Sequence, residues 1–185
     1  MIMSTRSYIA KQIGDNKYRT IYCHSDGYLT YNGAMLLDHY NSSEKLDELL
    51  RLGDLSCLGV NINPDPSRPH GFDYRERQDG VTVAYGRDRG DKNVAARNLT
   101  LKQLDDPNSW TAYVYIFTRD KEWKYFQAGH SQEGLRDVES DLKNAYAAYD
   151  MERPQGYYGN LTDDIAAWLK EEQTRNDSSE PVISM

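Results

Sequence analysis

The run "IYCHSDGYLTYNGAMLLDHY", Ile21 to Tyr40, concentrates groups that could do chemistry: the Cys23 thiol, the His24 imidazole, the Asp26 carboxylate and four tyrosines around Gly27. Metal binding is the first reading to test. Cys23 and His24 are neighbours, so in a strand their side chains leave opposite faces and cannot share an ion. His24 and Asp26 could share one with help from His39, His70 or His130, but no pair has the spacing of a known zinc motif. No metal and no cofactor is expected. Nucleophilic catalysis finds as little support: Cys57 in "LSCLG" reads as a small buried hydrophobe, and the chain has no GxSxG elbow, no phosphate-cradling GxxxxGK[ST] and no dinucleotide fingerprint.

Acid–base chemistry on RNA fits the residue types better. Metal-independent RNA cleavage needs a base for the 2′-hydroxyl, an acid for the leaving oxygen and a cation for the phosphorane. Tyr8, Lys11, Lys17, Arg19, Tyr22 and His24 offer all three within one short region, with His24 as the candidate catalytic residue. A structural reading competes with it, in which His24 hydrogen-bonds the turn, Asp26 caps it and Gly27 supplies its positive φ.

The elements that must position these groups begin with "TRSYIAKQI" and "YRTIYCH", two β-rich runs joined by "GDNK", which read as an N-terminal β-hairpin over residues 1–24. Alternation sets Tyr8, Ala10 and Gln12 on one face and Ile9, Lys11 and Ile13 on the other. "GAMLLDHY" reads as a short helix. "NSSEKLDELLRLG" is a clear one, with Ser42 or Ser43 as N-cap, Leu46, Leu49 and Leu50 as its apolar stripe, and Gly53 closing it. "NPDPSRPHGFDYRERQDG" is an irregular loop, "VTVAYG" a strand, and "RDRGDKNVAARNL" a charged turn leading into an indistinct segment. "WTAYVYIFTRD" and "KEWKYFQAG" form a second hairpin turning near Arg119–Lys121. The spacing then predicts a helix over "EGLRDVESDLKNAYAAYDM" with Leu135, Val138, Leu142, Ala145 and Tyr149 on one face, and a last helix through Ile165, Trp168 and Leu169. The expectation is one α+β domain over residues 1–173, an antiparallel sheet with three or more packed helices, and a disordered tail over 174–185. The N-terminal hairpin is expected to project or to lie at a sheet edge.

At 185 residues the chain suits one domain with a real core. No run reaches the length of a membrane span, the N-terminus lacks a signal-peptide apolar core, and two cysteines cannot build a disulfide framework, so a reduced cytoplasm is the expected compartment. The net charge of −7 is uneven: from Glu133 onward twelve acidic residues face five basic ones, whereas residues 1–132 are balanced. The first 24 residues hold Arg6, Lys11, Lys17 and Arg19 against Asp15 alone, interleaved with Tyr8, Tyr18 and Tyr22. Cations and tyrosines in such a pattern suit phosphates and bases, so these seven form the candidate RNA- or partner-binding set. Arg68 to Arg97 holds seven Arg and Lys but five acids, a field that largely cancels itself. Fifteen tyrosines against three phenylalanines also tilt the reading toward contact with a macromolecule. The acidic C-terminal part leaves another option open, mimicry of DNA.

Four pieces, "STRSYI", "IYCHSDGY", "GAMLLDHY" and "LLRLGDLSCLG", stand in order between Ser4 and Gly59, about a third of the chain. Together they resemble a group of small proteins carried by phages and other mobile elements of bacteria, with a "TRS-x-I" strand, a "YCHxDGY" turn, an "HY" helix end and "LGDLSxLG". Some proteins that look like this are anti-CRISPR inhibitors of type II Cas9. The resemblance implies a Cas9 inhibitor whose partners are Cas9 and its guide RNA, acting as a stoichiometric binder or by Cas9-dependent truncation of the guide. An acidic DNA mimic, a phage accessory protein unrelated to CRISPR and a free-standing ribonuclease are the alternatives.

Overall fold

The computed structural model describes residues 4–161. Strand β1 (Ser7–Gly14) and β2 (Lys17–Cys23) pair antiparallel as the expected N-terminal hairpin, with Ile9 opposite Ile21 and Tyr8 opposite Tyr22. The other strands are β3 (Leu55–Cys57), β4 (Val83–Ala84), β5 (Arg97–Leu99), β6 (Tyr113–Phe117), β7 (Trp123–Gln127) and β8 (Arg136–Asp137). They form one sheet of order β4-β3-β2-β1-β6-β7-β8, with β5 also paired to β2. The hairpin therefore lies in the middle of the sheet and does not project. Its tip is tied down as well: Asn16 Oδ1 accepts the Leu101 N–H, and Arg119 reaches Asp15 at 2.8 Å. The sheet is also mixed, because β1 runs parallel to β6, as β2 does to β3. The β6–β7 hairpin turns through Lys121 at φ +63°, where the sequence placed it.

Helices cover one face: α1 (Ala34–His39), α2 (Ser43–Arg51) and α5 (Val138–Ala147). Ser42 Oγ accepts the Lys45 N–H as N-cap of α2, Leu46, Leu49 and Leu50 are fully buried, and Gly53 leaves the helix at φ +76°. Each such leucine contributes about 1.5–3 kcal/mol by leaving water. They meet Ile9, Ile21, Cys23, Tyr115 and Phe117 of the sheet. The charged segment after β4 contains α3 (Tyr85–Arg89) and β5, neither of which its sequence pattern resolves. The short helix α4 (Leu101–Leu104) covers part of the opposite face, where Leu104 packs with Ala10, Tyr18, Val114, Ile116 and Phe126.

Helix α5 begins later than its pattern predicts. Asp137 caps it by accepting the Ser140 N–H, and Val138, Leu142 and Tyr146 are the buried residues, whereas Leu135 and Tyr149 are exposed. Arg136 and Asp137 pair with β7 instead of joining the helix. The last expected helix and the tail lie outside the described residues. Five of the fifteen tyrosines (Tyr18, Tyr40, Tyr115, Tyr125 and Tyr146) are core residues, so much of the tyrosine excess serves packing. Three of these hydroxyls have specific acceptors: Tyr40 donates to the Gly59 carbonyl, Tyr115 to that of Gly27 and Tyr125 to Asp141.

Candidate nucleic-acid interface

Strand parity divides the candidate set in two. Lys11 and Arg19 are cross-strand partners on the helix-covered face, and Lys17 is exposed at the hairpin tip. Lys11 grips Asp47 of α2 with its Nζ 2.8 Å from both carboxylate oxygens. Tyr18, on the opposite face, is buried under α4 and Leu99. These four do not form one surface. Lys11→Ala is expected to cost about 1 kcal/mol through the lost ion pair and stem packing, whereas Lys17→Ala and Arg19→Ala should each stay within about 0.5 kcal/mol. Urea unfolding of the three variants measures the difference, and equal midpoints would show that the Lys11 pair adds nothing.

The remaining four candidates do converge. Tyr8 and Tyr22 sit opposite each other on the face away from α1, α2 and α5, with ring centroids 6.4 Å apart at 72°. His24 continues that side of β2, and its Nδ1 shares a hydrogen bond of 2.9 Å with Tyr22 Oη. The Arg6 guanidinium lies beside both Tyr22 and His24. All four are half-buried, which leaves ring edges and the cation in reach of a ligand.

Sequence reasoning missed the groups that frame this face. Buried Asp54, just before β3, accepts the Tyr22 N–H at 2.8 Å and holds Arg97 of β5 with two contacts of 3.2 Å. Arg97 and Asp54 both act electrostatically on Tyr8, and Tyr85 borders Tyr22. Trp110 is 79% exposed and sits in the left-handed region at φ +62°. It lies at the same end of the sheet as Arg6, whose carbonyl accepts the Ala112 N–H. Its exposure and its backbone conformation are properties of the fold that the sequence does not carry.

The electrostatics follow from partial burial beside a cation. Burial, opposed by Arg6, pushes the Tyr22 hydroxyl up to about 12, so it stays protonated. Burial first, and Arg6 second, hold the His24 imidazole below its ordinary value of 6.5, so it is neutral at pH 7. Because the folded value is depressed, His24 favours the fold fully above the unfolded value, and that contribution is lost as pH falls below about 6.5. Arg6→Gln is expected to raise the His24 midpoint only part of the way, since burial remains. A proton NMR titration of the imidazole checks this, and an unchanged midpoint would mean that Arg6 does not act on the ring.

The turn that aims His24 also differs from its sequence reading. Asp26, not Gly27, carries the positive φ (+56°). Gly27 is needed for close approach: its N–H donates to the Thr5 carbonyl at 2.8 Å, and a Cβ there would stand 2.8 Å from the Arg6 carbonyl carbon. Cys23 points into the core, where Asn32 Nδ2 lies 3.5 Å from its Sγ, so Cys23 and His24 do occupy opposite faces. Among the described residues no three His, Cys, Asp or Glu side chains converge as a metal site, and no helix is long and apolar enough to cross a membrane. No protein-family model matches the chain, and neither a curated protein nor a solved structure shows significant similarity to it.

Proposed function

We propose that the protein inhibits guide-loaded type II Cas9 by contact, laying the Arg6–Tyr8–Tyr22–His24 face against guide RNA presented by the complex. The observation that carries RNA contact is the gathering of two tyrosine rings, an imidazole and a guanidinium on one accessible sheet face. Sheet-borne aromatics accept stacked bases of unpaired RNA, and a neighbouring arginine serves the phosphates. Cas9 as the bearer of that RNA rests on the resemblance of Ser4 to Gly59. Contact is favoured over mimicry of DNA by the state of two acids of the C-terminal part: Asp137 and Asp141 are paired with Lys124 and Arg136.

Guide truncation is the second reading, favoured by a neutral His24 beside a protonated Tyr22 hydroxyl and the Arg6 cation. One experiment separates the readings. Purified protein is mixed with Cas9 and guide RNA, DNA cleavage is assayed, and the RNA is run on a denaturing gel. Lost cleavage with intact guide is the expected result. Guide shortened only when Cas9 is present would replace contact by truncation, shortening without Cas9 would indicate a free ribonuclease, and unimpaired Cas9 would discard the reading.

A further inference from the structure

The basic stretch from Arg68 to Arg97 does not cancel its charge uniformly. Arg68, Arg87, Arg89 and Arg97 are each held by an aspartate, at 3.2, 2.6, 2.5 and 3.2 Å. Arg75 and Arg77 have no such partner among the described residues, and both line a cleft of about 760 Å³. That volume lies in the range of small-ligand sites.

The cleft follows from the topology. Strands β2 and β3 run parallel through the Cys23–Leu55 pair, and residues that follow each of them, Ser25–Asp26 and Leu58–Gly59, line the cleft. The facing wall is the loop around Arg75 and Arg77, fixed from within by buried Gln78. Its Nε2 donates to the carbonyls of Asp65 and Arg68 at 3.0 Å, and its Oε1 accepts the Asp65 N–H. The Arg77 guanidinium is oriented before any ligand arrives: Nε donates to the Phe72 carbonyl at 2.8 Å and Nη1 lies 3.7 Å from Cys57 Sγ. Tyr31 and Tyr158, with rings 6.3 Å apart, supply an aromatic wall. Asp26 adds a carboxylate, turned by its strained backbone and bonded on one oxygen by Tyr28.

We infer that this cleft binds a nucleoside phosphate, with Arg75 and Arg77 on the phosphate, the tyrosine wall against the base, and Asp26 accepting from a hydroxyl or amino group. Two guanidiniums that no carboxylate holds offer an anion site, with the exposed Asp79 also on the cleft lining; aromatic walls select a planar ring, and the Asp26 acceptor selects a ligand that also donates. The lining of the cleft shares no residue with the Arg6–Tyr8–Tyr22–His24 set, and the inference does not rest on the RNA reading. The same chemistry is offered by a free mononucleotide and by the phosphorylated end of an RNA chain.

Calorimetric titration of the full chain with AMP, GMP, CMP and UMP, with the four corresponding nucleosides, and with inorganic phosphate tests the inference. At least one mononucleotide is expected to saturate a single site. Its nucleoside and phosphate alone should each bind about ten-fold more weakly or worse, and Arg75→Gln and Arg77→Gln should each weaken the nucleotide by about ten-fold. Arg75 is exposed, so its variant tests the site even if Arg77→Gln disturbs the loop. Displacement of the nucleotide by 5′-phosphorylated RNA, but not by the same RNA with a 5′-hydroxyl, would assign the site to an RNA terminus, and no displacement would assign it to a free nucleotide. Tyr8→Leu with Tyr22→Leu should leave mononucleotide affinity unchanged, so failure of the RNA face and failure of the cleft are told apart. The inference is overturned if no mononucleotide binds saturably, or if Arg75→Gln and Arg77→Gln both bind like the parent.

Discussion

Replacing Tyr8 and Tyr22 together by leucine is expected to weaken binding to guide-loaded Cas9 by about 100-fold or more, because each base stacked on an aromatic ring contributes about 1–3 kcal/mol. Leucine keeps apolar bulk on the sheet and removes the flat ring face. It also removes the Tyr22 hydroxyl from His24 Nδ1, so the double variant tests stacking and aiming together. The single Tyr8→Leu leaves that hydrogen bond intact and isolates stacking, with an expected loss of about ten-fold. The control is Lys17→Ala with Arg19→Ala, which removes the two exposed hairpin cations that do not belong to this face. That control should retain affinity within about three-fold, since isolated exposed charges contribute little at physiological salt. Binding is read by electrophoretic shift of the labelled guide–Cas9 complex, and folding by thermal melting. If the cation pair fails while the tyrosine pair binds normally, contact runs through the hairpin tip, and the tyrosine face is merely a partly covered sheet surface.

Gly27→Ala should cost about 2–4 kcal/mol of stability. The added Cβ would lie 2.8–2.9 Å from backbone atoms of Thr5 and Arg6, which cannot rotate away as a side chain would. Relief requires the turn to separate from the start of β1, which would strain two bonds: the Gly27 N–H to Thr5 and the Tyr115 hydroxyl to the Gly27 carbonyl. Gly129→Ala is the comparison. Gly129 has φ +87° with nothing within 4 Å of an added Cβ, so its cost is conformational alone, about 1 kcal/mol. Chemical denaturation of both variants gives the contrast. The same displacement moves Arg6 away from His24, so the His24 midpoint in Gly27→Ala should shift back toward 6.5. Equal costs for the two alanines would mean that the Thr5–Gly27 approach relaxes freely.

Local signals in the sequence determined local structure. Ser42 and Gly53 bracket α2 because a hydroxyl cap and a left-handed stop act on neighbouring residues, and Leu46, Leu49 and Leu50 share a stripe by helical period. Both hairpins were legible for the same reason, as was the separation of Cys23 from His24 by strand alternation. The start of α5 was misread because Arg136 and Asp137 are claimed by β7, a pairing decided across the sheet. The positive φ expected of Gly27 falls on Asp26, and Gly27 is instead needed for the close approach of Thr5 and Arg6, about twenty residues earlier, which no local signal reports.

Only the tertiary structure decided which of the interleaved cations and tyrosines belong together. In sequence Arg6, Tyr8, Lys11, Lys17, Tyr18, Arg19 and Tyr22 form one basic aromatic cluster. Pleating sends Lys11 toward Asp47 on the helix face, and the non-local α4 segment covers Tyr18. The parallel pairing of β1 with β6 puts the hairpin in the sheet centre and brings the Trp110 segment beside Arg6, a juxtaposition separated by about a hundred residues. Asp54 and Arg97 reach the same face through strands too short to show a period. Side-chain periodicity reports which face a residue takes within its own element. Which elements share that face is decided by long-range pairing and burial, and the Arg6–Tyr8–Tyr22–His24 surface exists only at that level.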